Sequence, residues 1–235
     1  DVAAHDNETL FDINQYKLPR DTVMADRVRA VNLANSIVAL AQGIPFYHAG
    51  QELLRSKSLD SNSFDSGDWF NPLDYSYRDN GWGRGLPPAW DNEANWPLAG
   101  PLLADVSLAP GERGIRFAAK HLEEMLRIRK STPLFRMGTA DEVMQSLQFL
   151  NTGPRQVPGL IVMRLERDGE TVVVLFNTTP AVQSFAVQGA AGFELHPVQK
   201  ESADPVVRRA TVLGERFEVP ARTTAVFVKK PAGIK

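Results

Sequence analysis

The sequence predicts an α/β segment followed by an all-β segment folded as an antiparallel sandwich. Three observations predict it. Strand-like and helix-like patterns alternate over the first 50 residues, the apolar spacing changes period after about residue 147, and Asp168-Gly169 joins two apolar runs in the strongest short hairpin signal. With 235 residues, 43% of them hydrophobic and 23% charged, the chain has room for a sizeable core.

The opening stretch "VAAHDNETLFD" reads as a strand end that delivers a histidine and an aspartate, His5 and Asp6. Asp21 then caps a helix whose apolar positions Val23, Met24, Val28, Val31, Ala34, Ile37, Val38 and Ala41 follow the helical period, and Gly43 stops it. "IPFYHAG", residues 44–50, reads as a short buried strand with Pro45 near its start, where a missing donor is tolerated. In parallel α/β folds ligands lie beyond the carboxyl ends of the strands, so His5, Asp6 and His48 are expected on one rim.

From Gln51 to about Gly111 there is little periodicity of either kind, yet this stretch holds all four tryptophans. A loop of that length inside a compact protein is usually functional. Trp69, Trp82, Trp90 and Trp96, interleaved with Asp, Asn and Arg, suit a surface that stacks on flat faces and hydrogen-bonds hydroxyls, or serve to pin the loop to the body.

A second amphipathic helix is expected over Glu112–Lys130, with Ile115, Ala118, Ala119, Leu122, Met125, Leu126 and Arg129 spaced at three and four, and Pro133 just past its end. "TADEVMQSL" adds a short helix capped by Thr139. Strand-like runs then follow at "GLIVMRLERDGETVVVLFNTT", "QSFAVQG", "FELHPVQ", "ERFEVPA" and "TTAVFVKK", the pattern of a sandwich. The expected domains are residues 1–132 and 133–235.

Composition excludes several partners. Twenty-six basic against twenty-eight acidic residues leave a net charge of -2, so no broad basic field is present to hold nucleic acid. Apolar runs such as Ile37–Ala41 fall far short of the roughly 20 residues that span a bilayer, so no membrane partner is expected. With no cysteines, disulfides and thiolate metal sites are ruled out, while the compartment stays open. His5 and His48 have no third ligand and no helical spacing, and no metal site is assigned to them.

"HDNETLFD", "GIPFYHAGQELLRSKSLD", "DSGDWFNPLDYSY" and "NGWGRGLPPAWDNEANWPL", in that order, resemble the C-terminal third of starch debranching enzymes of the pullulanase and limit-dextrinase type, in the α-amylase superfamily. The likeness runs from residue 1 to about 165 and includes "PLFRMGTADEV" and "NTGPRQVPGLIVM"; the last 70 residues match only as a generic sandwich. "LLRSKSLD" followed by "SGDWFN" favours this branch over isoamylase and branching enzyme.

The resemblance implies a (β/α)8 barrel, of which residues 1–132 supply the last strands and helices, followed by the sandwich. It implies three carboxylates at the barrel's active site, and Asp6 matches the third, which with His5 binds hydroxyls of the sugar being cleaved. The nucleophile and acid/base of the family would lie on strands before residue 1, and the chain holds no comparable second pair. A retaining site needs two carboxyl groups about 5 to 5.5 Å apart. The chain is therefore expected to be a fragment, inactive alone, whose partners are the upstream barrel of its parent and a branched α-glucan: pullulan, limit dextrin or amylopectin.

Further substrate contacts are expected from Arg55, Ser61, Asn62 and Trp69. The family commonly has Arg-Asp and Ser-Tyr where this chain has Ser61-Asn62 and Ser63-Phe64, which implies weaker contact to a sugar there. No cofactor is required. A structural calcium is common in the superfamily, but Asp65 and Asp68 alone fall short of the six to eight oxygens calcium takes. The alternative readings are a non-catalytic α-glucan-binding module built on the aromatic loop and a fragment of an isoamylase-like debranching enzyme.

Overall fold

The computed structural model describes residues 1–229. They form two compact units, one of Asp1–Val38 with Pro45–Leu122, the other of Ala39–Ile44 with the chain from Glu123 onward.

The first unit opens with a helix that the sequence reading missed. In α1 (Leu10–Lys17) the Thr9 hydroxyl accepts from the Asp12 amide at 3.1 Å, a cap that satisfies one of the free donors of the first turn. The signal was Thr9 with an acidic residue three places on. Helix α2 (Met24–Leu40) follows as expected, but it starts three residues beyond Asp21, which lies exposed in a turn. Arg27 holds the α1–α2 connection: it is fully buried and its guanidinium donates to the carbonyls of Asn14, Pro19, Arg20 and Thr22.

The long stretch from Gln51 is less irregular than expected. It contains α3 (Gly67–Phe70), α4 (Ala89–Asn92) and α5 (Trp96–Leu103) ahead of α6 (Gly111–Ser131). Sequence pattern hid α5 because Gly100 and Pro101 sit inside "WPLAGPLL", where both oppose a helix; its Ala99 and Leu102 are nonetheless buried with Leu59 and Leu108. A second cluster joins Leu10 and Phe11 of α1, Val28 and Val31 of α2, Leu53 and Leu54, and Ile115 and Ala118 of α6.

The two expected parallel strands are absent. Neither residues 2–6 nor residues 44–50 form a ladder with any described residue, and every strand pair in the structure is antiparallel. The (β/α)8 barrel is therefore not in this chain. A strand exists through its neighbours, which must take its backbone hydrogen bonds and cover its side chains. Here the side chains meant for such cover are bare, Ile44 at 96% and Phe46 at 59% exposure.

The second unit carries α7 (Ala140–Ser146), β1 (Leu147–Phe149), β2 (Leu160–Arg167), β3 (Glu170–Asn177), β4 (Gln183–Ala186), β5 (Glu194–Leu195), α8 (Pro197–Lys200), β6 (Thr211–Leu213), β7 (Arg216–Val219) and β8 (Thr223–Lys229). Thr139 caps α7 as expected, in a full capping box with Glu142. The strands form two antiparallel sheets, of order β1-β2-β3-β8-β5 and β4-β7-β6. Arg167 pairs with Glu170 across Asp168 and Gly169, both at positive φ (53° and 81°), the two-residue turn that the sequence signalled. The sandwich core includes Val173, Leu175, Phe217, Val219 and Phe227.

Of the run "FELHPVQ" only Glu194 and Leu195 are strand. Pro197 cannot continue the ladder, and His196 instead caps α8 by accepting from the Val198 amide at 3.2 Å. The last expected strand residue, Lys230, lies outside the described residues. Arg129 is buried as expected for its position, but through polar contacts: it donates to the carbonyls of Ala39, Ala41 and Gly43, closing the end of α2.

Two buried groups respond to pH with opposite sign. Burial pushes the Asp12 carboxyl from 3.8 up to about 6, although its hydrogen bonds pull it the other way. The stability it contributes is complete below pH 3.8 and lost as pH rises through 6, by up to about 3 kcal/mol. Burial, assisted by Arg127, lowers His196 from 6.5 to about 4, so its contribution is complete above pH 6.5 and lost as pH falls through 4. Urea midpoints at pH 4 and pH 7 should show Asp12→Asn removing the loss on the alkaline side and His196→Gln the loss on the acid side. Variants that follow the parent's profile at both pH values would refute this assignment.

Candidate functional site

His5 and Asp6 lie in the turn just before α1. The His5 Nε2 stands 3.4 Å from an Asp6 carboxylate oxygen, and the two side chains are 85% and 73% exposed. The next residue, Asn7, has a left-handed backbone (φ 61°), which Asn tolerates better than most, and Thr9 then caps the helix. The result is an acceptor and an imidazole side by side in solvent, a pair able to take and give hydrogen bonds to adjacent hydroxyls.

Beneath this turn lies a buried polar loop that sequence reasoning did not single out. Asp12 is fully buried, and one of its carboxylate oxygens accepts from the amides of Lys57 (2.8 Å) and Leu59 (3.2 Å). Lys57 is 1% exposed and donates from Nζ to the Asn7 carbonyl at 2.8 Å. Burial lowers its pKa, while Asp60 and Asp12 draw it back up. Asp60, also fully buried, accepts from the Asn62 amide at 3.0 Å and the Asn92 side chain at 3.1 Å. Leu54, Ser58 and Leu59 all have positive φ, a backbone state costing of order 1–3 kcal/mol each for non-glycine residues that the surroundings must impose. The available signal was the pair of charges Lys57 and Asp60 placed among leucines in "LLRSKSLD".

Arg55, expected to contact substrate, is turned onto backbone carbonyls. Its guanidinium donates to the carbonyls of Ala49 (3.3 Å) and Asn71 (3.0 Å) and lies 3.3 Å from the His48 ring. Burial lowers the His48 pKa, with the charges of Arg55, Lys57 and His5 adding to the effect, which favours a neutral ring. The Gln51 side chain donates to the Asn35 side chain, fixing the start of this segment on α2.

Ser61 and Asn62 are half-buried, and the Ser61 side chain is already engaged. The Ser61 hydroxyl donates to Asp91 (3.2 Å) and Asn92 (3.1 Å), and Asn62 is held through its amide. Trp69 is 63% exposed; its indole donates to the Arg84 carbonyl at 2.7 Å, and the Arg84 guanidinium lies 5.2 Å from the ring centroid. The four tryptophans divide by role. Trp82 meets Phe11 edge to face and Trp96 donates to the Pro87 carbonyl, pinning the loop, whereas Trp90 is exposed with Phe64 against its ring at 5.5 Å. Gly81 (φ 89°) lets the loop lie against the Ser56 carbonyl, which any Cβ there would strike.

Asp65 and Asp68 are exposed, and no group of three or more His, Asp or Glu side chains fit for a metal ion occurs among the described residues. No helix among them is long and apolar enough to cross a membrane.

Residues 77–230 match the family described as alpha-1,6-glucosidases, pullulanase-type, C-terminal. The match includes the sandwich, so the last 70 residues carry more than the generic likeness expected of them. The chain is 47% identical to the chloroplastic pullulanase 1 of Arabidopsis thaliana, over 99% of this chain and 26% of that protein. It is 35% identical to a Klebsiella pneumoniae pullulanase over 86% of this chain and 19% of the relative. The crystal structure of an apo pullulanase from Klebsiella pneumoniae superposes with a TM-score of 0.91 at 33% identity, covering 100% of this chain and 26% of that one. A maltotriose complex of a pullulanase from the same organism has the same TM-score, identity and coverage. The chain thus spans about a quarter, or less, of the length of the curated relatives it matches.

Proposed function

Because this chain belongs to the pullulanase-type α-1,6-glucosidases, we propose that it is the C-terminal portion of a debranching enzyme, with Asp6 as the carboxylate that steadies the transition state. The observation that carries the reading is the exposed His5–Asp6 pair, held at the head of α1 and free to meet a ligand. The parent enzyme hydrolyses α-1,6 links in pullulan, limit dextrin or amylopectin with retention of configuration. Its nucleophile and acid/base come from an upstream barrel, beside whose strands residues 2–6 and 44–50 take their places. The sandwich domain begins at about residue 133. The maltotriose complex of the Klebsiella enzyme supports an α-glucan as the ligand.

In such a reaction positive charge develops on the sugar ring, and hydrogen bonds to its hydroxyls that strengthen on the way supply several kcal/mol. Asp6 accepts from two neighbouring hydroxyls and His5 donates to the same region. Neither breaks the bond. Arg55 shapes the floor through the carbonyls it holds, Trp69 offers a ring face to a sugar, and Ser61 offers little, its hydroxyl being already committed, whereas Asn62 is held only through its backbone N–H.

The test is reducing-end release from pullulan by residues 1–235, beside a chain extended upstream through the whole barrel. Activity only in the longer chain is the expected result. Activity in the short one would place a complete carboxylate pair within these residues and overturn the reading. Silence in both would favour non-catalytic glucan binding, for which the exposed Phe64–Trp90 pair is the supporting feature.

A further inference from the structure

We propose that Lys57 is a positioning residue for Asp6, locking the turn that presents the carboxylate. This rests on the reading of Asp6 given above. The Asn7 carbonyl belongs to the peptide that follows Asp6 by one residue, and the Lys57 ammonium donates to it at 2.8 Å. Asn7 itself is in the left-handed region, a state it tolerates but one among several open to it, so the direction in which the chain leaves Asp6 depends on what selects that state. Thr9 fixes the helix side of the turn through its cap to Asp12. Lys57 fixes the other side.

The lysine is in turn held by the carboxylate of the residue whose backbone amide closes the helix cap. Asp12 receives the Lys57 amide and the Leu59 amide on one oxygen, which fixes where the lysine stem begins. That stem is 1% exposed, so its course is set by packing. A buried ammonium is costly unless compensated, and Asp12 and Asp60, both fully buried, supply the opposing charge. The site therefore keeps a charged donor inside the protein and directs it at a backbone carbonyl beside Asp6. A neutral apolar chain of similar length would fill the same space without closing the turn.

A double-mutant cycle in the full-length parent separates positioning from mere support. Lys57→Met is expected to lower kcat on pullulan by about tenfold or more with KM little changed, and to cost less than twofold when placed in an Asp6→Asn background. An equal factor in both backgrounds would show that Lys57 acts independently of Asp6 and would overturn the proposal, as would unchanged kcat in the single variant. Should Lys57→Met not yield folded protein, Lys57→Gln, which keeps a shorter neutral donor, enters the same cycle with the same criteria. Near-normal activity of Asp6→Asn alone would instead remove the underlying reading of Asp6, a separate result.

Discussion

Replacing Asp6 with asparagine in the full-length parent is expected to lower turnover of pullulan by at least about a hundred- to a thousandfold, the scale on which loss of a single transition-state hydrogen-bonding group is felt. The fold should not notice the change. The Asp6 side chain is 73% exposed, and its recorded partner is the His5 ring beside it. An unchanged melting temperature with collapsed kcat is therefore the signature of a residue that acts on the substrate. Asparagine keeps one acceptor oxygen but loses the charge, so the effect should fall mainly on kcat, where the developing positive charge is met, and only weakly on KM. Near-normal turnover would end the assignment.

Replacing Phe217 with alanine should produce the largest loss of stability. Its ring is fully buried in the sandwich, 4.8 Å from the Phe227 ring and 5.5 Å from that of Phe193. Removing it deletes those contacts and leaves a cavity, a change that costs about 3–5 kcal/mol. The urea midpoint should fall while the dependence on denaturant stays constant, since the surface exposed on unfolding is nearly the same. A loss below about 1 kcal/mol would mean that the core closes around the vacated space.

What could be read from the sequence followed from how local the cause was. The Asp168-Gly169 turn, the Thr139 cap and the periods of α2 and α6 are set by residues close together in the chain, and all four were visible. The His5–Asp6 pair was legible for a different reason, the family's motif in which it sits. The failures had distant causes. Strands at 2–6 and 44–50 were inferred from composition, but a strand is made by neighbours, and the neighbours are not among these residues. Arg129 fitted a helical stripe and was buried, yet its partners are carbonyls 86 to 90 positions away. The Asp12–Lys57 junction joins residues 45 apart, a separation at which side-chain pairing leaves no local trace.

The same junction bears on the order in which the chain assembles. Left-handed Leu54, Ser58 and Leu59 have no intrinsic reason to adopt that state, so the loop gains its shape from distant partners, Asp12 receiving its amides while Asn80 and Gly85 hold Leu54 and Ser58. Asp12 is in place only once α1 has formed. Helix formation is fast and local, whereas closing a long loop must first overcome its entropy. The loop beneath the site is thus a late-setting part of the molecule, and pulse-labelled amides of Lys57 and Leu59 should gain protection after those of α1.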